Sequence, residues 1–283
     1  MAEQYFDYEK MMTEIDFYMN KYKFISVNGI CESILGRMVP AIILGSGKRV
    51  VVYVGGEAGN DNVSSALLVR FVRDVCALYS ESGSAFGFSA ENIFKNYTVV
   101  IIPMLNPDGS MYCSKGVGAD NPLRERALKI NRNNEDFSAW SKNARGIELK
   151  YDYGFDSSEK EPEPEVGALC NFLRYGLTPS ILISFSHSLC EEETIYFGDG
   201  EIENKMSLAL SQMSGMKRVY RGSENSNLMI TDWSQKELST ASFSFELPRI
   251  KCSNYKQYSD SIFSTYAKLR KIFFCTPFLN KIK

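Results

Sequence analysis

The chain has a single histidine, His187. Any mechanism that draws two or three imidazoles from one chain is thereby excluded. Neither sign of charge is in excess: 32 Lys and Arg stand against 34 Asp and Glu, a formal net charge of −2. The basic surface that marks a nucleic-acid binder is missing, so no nucleic-acid partner is expected. No stretch reaches the roughly 18 uninterrupted apolar residues of a membrane span, and none is expected. The cysteines (Cys31, Cys76, Cys113, Cys170, Cys190, Cys252 and Cys275) are scattered singly, with no CxxC pair. Such a set reads as reduced thiols rather than a disulfide framework or a zinc knuckle. The first residues carry Glu3, Asp7 and Glu9 and lack a basic start followed by an apolar run. No signal peptide is read there, and a cytoplasmic location is the expectation.

What is present is ordinary globular usage, 44% hydrophobic and 23% charged residues, which sets aside disordered and collagen-like classes. Apolar residues fall at helical spacing over Tyr8 to Tyr22, Val63 to Tyr79, Glu163 to Tyr175, Glu203 to Met213 and Ser259 to Phe274. Short apolar or β-branched runs at Phe24–Val27, Val39–Leu44, Arg49–Val54, Val99–Met104, Ser180–Phe185 and Ser242–Leu247 read as strands. Residues 110–158 are more polar and aperiodic and read as a long loop region that follows the turn signal Asn106-Pro107-Asp108-Gly109. Strands alternating with helices, without a linker or repeat, predict one α/β domain over residues 1–283. Its sheet is expected to be mixed and mainly parallel, with helices on both faces.

Sites in such sheets gather at the carboxyl ends of strands. Those ends deliver Gly55-Gly56-Glu57-Ala58-Gly59-Asn60-Asp61, then Ser186-His187-Ser188, then Glu246 within an apolar run. On spacing alone, a lone histidine and strand-end acids are most simply satisfied polar groups.

A series of motifs adds to this reading. Glu32-Ser33-Ile34-Leu35-Gly36-Arg37 is followed by the Gly55-Gly56 strand end and Pro103-Met104-Leu105-Asn106-Pro107-Asp108-Gly109. Then come Trp140-Ser141-Lys142-Asn143-Ala144-Arg145-Gly146-Ile147-Glu148-Leu149, Glu163-Pro164-Glu165, Ser184-Phe185-Ser186-His187-Ser188, Thr231-Asp232-Trp233 and Phe243-Ser244-Phe245-Glu246-Leu247. In this order they resemble the zinc carboxypeptidases of the funnelin type, especially the compact bacterial branch that acts on cell-wall peptides. The resemblance implies hydrolysis of a peptide bond at a zinc ion held by three protein ligands, with water in the fourth position. It also implies a glutamate as general base and an arginine on the oxyanion.

Carried over residue by residue, the resemblance makes Glu246 the general base and Arg145 the oxyanion arginine. His187 and Asp61 become metal ligands. The family's H-x-x-E element falls on Ala58-Gly59-Asn60-Asp61, so its histidine is replaced by alanine and its glutamate by the shorter aspartate. The Asn-Arg pair that grips a substrate carboxylate falls on Lys150 and Tyr151. Asp61 with His187 is one ligand short, unless Glu57 turns inward as a third. The run Glu191-Glu192-Glu193 reads as a solvated loop.

The expectation is a member whose zinc binding and activity are impaired or lost and which keeps a groove for a peptide or cell-wall-type peptide. An active zinc peptidase with an atypical metal site is the alternative. A metal-free hydrolase using His187, Glu246 and Ser186 or Ser188 ranks last, because no G-x-S-x-G elbow is present.

Overall fold

The computed structural model describes residues 6–154, 161–188, 192–222, 228–250 and 252–279. Of the residues singled out above, Glu3, Cys190 and Glu191 lie outside them, as does the side chain of Ser188. The first half of the chain runs α1 (Tyr8–Lys21), β1 (Ser26–Glu32), β2 (Met38–Leu44), β3 (Arg49–Val54), α2 (Asn62–Ser80), β4 (Ser84–Ala85) and β5 (Phe88–Ser89). There follow α3 (Ala90–Asn96), β6 (Tyr97–Ile102), α4 (Pro107–Lys115), α5 (Arg124–Ile130), α6 (Pro164–Asn171), β7 (Ile181–Ser188) and β8 (Thr194–Phe197). The remainder is α7 (Glu201–Ser214), β9 (Lys217–Tyr220), α8 (Ile230–Leu238), β10 (Ala241–Pro248) and α9 (Tyr255–Leu279).

One sheet in the order β1-β2-β6-β3-β7-β10-β8-β9 organises these elements. Its centre, β6-β3-β7-β10, is parallel, and antiparallel pairs join β1 to β2, β2 to β6 and β10 to β8. The central strands are sandwiched by helices and therefore read as nearly continuous apolar runs, such as Val50-Val51-Val52-Tyr53-Val54. Their alternation sends Val51 and Tyr53 into a large core with α1, α2, α7 and α9, and Val52 and Val54 into a second core with α6 and α8. The expected mixed, mainly parallel α/β sheet with helices on both faces is what forms.

Within the stretch expected to be a loop, residues 110–115 and 124–130 are helical. Asn106-Pro107-Asp108-Gly109 opens α4: the Asn106 side chain accepts from Gly109 N–H at 2.9 Å, and Pro107 sits in the first turn. Proline fits there because its missing N–H has no helical partner to lose. Tyr112, Ala127, Phe137 and Trp140 then close a small satellite core.

Two of the sequence motifs meet as a clasp. The buried Asp108 carboxylate accepts from Ser33 Oγ at 2.9 Å, Leu35 N at 2.9 Å and Arg37 Nη1 at 2.7 Å. Ser33-Ile34-Leu35-Gly36-Arg37 thus anchors the loop between β1 and β2 to α4, a structural task.

Candidate functional site

The carboxyl end of β3 turns sharply at Gly56, whose φ is +60°. A Cβ there would lie 2.6 Å from Ser65 Oγ and 2.8 Å from Met104 Cα, so only glycine fits the turn. The turn throws Glu57 inward. Its buried carboxylate accepts from Tyr153 Oη and Ser184 Oγ, both at 2.8 Å. Burial pushes its pKa up, against the lowering effect of the two hydroxyls and of the Lys150 ammonium.

Alternation along β7 and β10 divides the site. The paired strands set Glu246 beside Ser186 and Leu247 beside His187. Leu247 belongs to the large core of α1, α2 and α9, so Glu246, Ser184 and Ser186 face the other side. There Lys150 Nζ lies 2.5 Å from Glu246 Oε1 and 3.2 Å from Ser186 Oγ. The two charged side chains are only 14% and 15% exposed. Burial pulls the Lys150 pKa down, but Glu246 outweighs it and the net shift is upward, so the ammonium is held charged. Lys150, Glu246, Ser186, Glu57, Tyr153 and Ser184 form one polar cluster with a fixed cation in it.

Asp61 and His187 belong to the other side. Asp61 is the N-cap of α2: Oδ1 accepts from Ser64 N at 3.0 Å and Oδ2 from Ser64 Oγ at 2.8 Å. Oδ2 also accepts from the backbone N–H of His187 at 3.2 Å, tying β7 to the helix start. The link between the two predicted ligands therefore runs through the histidine's backbone. Its Nε2 is buried without a hydrogen-bond partner among the described residues. Burial lowers the His187 pKa and Arg249 adds to this, while Asp61 opposes it, which keeps the imidazole neutral. Ser186 and His187 project to opposite faces of their strand, which separates the serine and histidine of the metal-free hydrolase reading.

Arg145 stands apart from both groups. Its guanidinium lies 3.5 Å from Glu163 and is 46% exposed, while Asn143, whose amide donates to Glu163 at 2.9 Å, receives its backbone N–H. Tyr151 is exposed, with its ring centroid 5.7 Å from Lys150 Nζ. Glu192 pairs with Lys217 and Glu193 with Lys268; Glu192 is exposed and Glu193 is partly covered. Tyr153 and Ser184 were not foreseen: Tyr153 sits in an aperiodic segment, and Ser184 carries no signal until Glu57 is known to turn inward.

The profile of the zinc carboxypeptidase family matches residues 11–261. The chain belongs to the zinc carboxypeptidase family. It is 26% identical over 148 residues to gamma-D-glutamyl-L-diamino acid endopeptidase 1 of Lysinibacillus sphaericus, covering 52% of this chain and 37% of that protein. It is 25% identical over 150 residues to the uncharacterized protein YqgT of Bacillus subtilis (strain 168), covering 52% and 40%. The matches thus span less than half the length of these relatives. Among solved structures, a metallo-carboxypeptidase from Burkholderia cenocepacia superposes with a TM-score of 0.69 at 14% identity, over 97% of this chain and 71% of that one. Thrombin activatable fibrinolysis inhibitor superposes with a TM-score of 0.70 at 18% identity, over 98% and 74%. Both show a shared fold.

The family's metal is zinc, and a catalytic zinc needs three converging protein donors. Among the described residues, no group of three or more His, Cys, Asp or Glu side chains could hold a metal ion. Ala58 offers no donor, both Asp61 oxygens are committed to the cap and to β7, and Glu57 is bound by Tyr153 and Ser184. His187 Nε2 is the one uncommitted donor of this group. The residues do not fit zinc in the family's manner, and the site is degraded relative to it.

Proposed function

We propose that this zinc carboxypeptidase family member has lost metal-dependent hydrolysis and acts as a peptide-binding protein. In this reading Ala58 stands where the family has its first zinc histidine, and Asp61 where it has the zinc glutamate. The observation that carries it is the Lys150–Glu246 contact at 2.5 Å. A general base must have a lone pair free for the proton of water. Here a charged ammonium lies on Oε1 of the carboxylate that would have to do the work, so water has to compete with it for that oxygen. The Asp61 oxygens, spent on Ser64 and on the His187 amide, support the same conclusion.

The ligand is proposed to be a peptide of the cell-wall type, as the name of the Lysinibacillus relative suggests. Its carboxylate would meet Arg145, whose half-exposed guanidinium has, among the described residues, a long contact to Glu163. One observation favours an active enzyme with an atypical metal site: the buried, unpartnered and neutral His187 Nε2 is in the ligand-ready form.

Both readings are tested by dialysing the purified chain against zinc, measuring its metal content, and offering a γ-D-glutamyl-diamino acid peptide. Substoichiometric zinc, no cleavage, and peptide binding weakened by Arg145→Gln are expected. Stoichiometric zinc with chelator-sensitive cleavage would overturn the proposal in favour of the active reading.

A further inference from the structure

Away from the strand ends, α1, α2 and α9 enclose a cleft of about 180 Å³. Its walls include Lys10, Glu14 and Tyr18 of α1, Arg70 and Arg73 of α2, and Tyr255 of α9. Three cationic side chains thus line the cleft with a single acidic one, in a chain whose overall charge is −2. That carboxylate is already engaged, since Glu14 accepts the Tyr18 hydroxyl at 3.2 Å.

Among the described residues the arginines have no acidic partner. Asp74, four residues beyond Arg70 on α2, is where a helical ion pair would form. Its carboxylate is taken instead by Arg270 Nε at 2.6 Å, Arg270 Nη2 at 3.2 Å and Tyr266 Oη at 2.7 Å. Neither Arg70 nor Arg73 forms an ion pair or hydrogen bond with a described residue. Arg70 is nonetheless held in place, its guanidinium 4.9 Å from the Phe263 ring centroid and 5.4 Å from that of Tyr266. Stacking of this kind fixes the plane and leaves the N–H edge available. Lys10 is similarly held, 4.4 Å from the Tyr255 ring centroid.

From this arrangement we infer that the cleft between α1, α2 and α9 is a second binding site, taking a dianionic phosphate group through Arg70, Arg73 and Lys10. A phosphate matches it better than a carboxylate does. Two guanidiniums one helical turn apart offer several N–H donors to one multiply charged acceptor. Glu14 offsets one of the three cationic charges of the lining, and a dianion answers the remaining two where a carboxylate would answer one. The volume suits a compact group, being below the few hundred Å³ of pockets that enclose larger ligands. The phosphate could arrive as the free ion or as an aromatic monoester, and the ring-lined wall favours the ester.

Isothermal titration of the full chain with inorganic phosphate and, separately, with phenyl phosphate tests this. Saturable binding is expected, weakened about tenfold or more by Arg70→Gln and by Arg73→Gln, because each removes a charge-assisted contact. Tighter binding of phenyl phosphate would assign the ester, and equal binding the free ion. Arg73 is exposed, so Arg73→Gln should fold even if loss of the Arg70 stacking does not allow it; circular dichroism checks both. No saturable binding, binding unchanged in a folded Arg73→Gln protein, or full displacement by sodium chloride at matched ionic strength would each overturn the inference. Zinc content and peptide cleavage do not enter the test, so its outcome is separate from that of the proposed function.

Discussion

Replacing Lys150 with methionine keeps the apolar stem of the side chain nearly to its end and removes its charge. The ammonium sits 2.5 Å from Glu246, and both side chains are about 85% shielded from solvent. At an effective dielectric of about 20, the gross attraction at that distance is on the order of 7 kcal/mol. Most of it is offset by the cost of desolvating the two ions, so the pair itself is worth much less. What the substitution exposes is the other side of the balance: Glu246 remains largely buried without its cation, and Ser186 Oγ loses a donor. Removing one partner of a buried pair costs about 3–5 kcal/mol, and residual exposure puts this one near the lower end, about 3 kcal/mol.

Urea unfolding near neutral pH would measure it, in a cycle of Lys150→Met, Glu246→Gln and the double variant. The double change should recover about 2 kcal/mol relative to the sum of the singles, since it removes both charges of the pair together. The pH dependence follows from the raised Lys150 pKa. The contribution is complete below the ordinary lysine value and is lost only as pH rises through the higher folded value. A Lys150→Met loss below about 0.5 kcal/mol with additive singles would refute the placement of the ammonium on Glu246.

Burial raises the pKa of the Glu165 carboxyl to about 7, with help from Asp108 and Glu163. Between the ordinary glutamate value and about 7, the folded chain holds a proton that the unfolded chain has released. Stability therefore falls as pH rises through that window, and Glu165→Gln should flatten the slope in a pH series of melting curves. Asp61→Ala removes a cap and the β7 tie together and should cost about 2 kcal/mol or more, whereas Asp61→Asn, itself a good cap, should cost less; urea titration separates them. The combined Ala58→His and Asp61→Glu change should lose stability without zinc and regain it with zinc, because it trades the α2 cap for metal donors. A folded double variant that gains no metal would count against the alignment of Ala58-Gly59-Asn60-Asp61 with the family's H-x-x-E element.

Much of the framework was legible in the sequence. Parallel strands covered on both faces tend to be apolar on both, so β3, β6 and the first half of β7 stood out as continuous runs, and β10 through its alternating phenylalanines. The amphipathic helices α2 and α9 were visible through the helical spacing of their apolar residues. The polar stretch after Asn106 was misread because an asparagine cap followed by proline looks like a turn until the chain is seen to continue as a helix. The edge strands β8 and β9 were too short to show a pattern, and α8 was noticed only through Thr231-Asp232-Trp233. Asp108, too, was legible only as a motif; that it would clasp Ser33, Leu35 and Arg37 required two distant segments to meet.

The sequence by itself determined what chemistry was available: one imidazole, no donor at position 58, and a lysine and a tyrosine at 150 and 151. Side-chain identity is fixed one residue at a time, and a missing atom stays missing in any fold. Only the tertiary structure decided how the remaining groups were spent. Strand alternation sent Glu246 and His187 to opposite faces of the sheet. Helix capping and the β7 tie claimed both oxygens of Asp61. Packing drove Glu57 between Tyr153 and Ser184, and brought the Lys150 ammonium across almost a hundred residues of chain onto Glu246. Those outcomes depend on which distant groups share a small, dry space, a relation that no local pattern in the chain encodes.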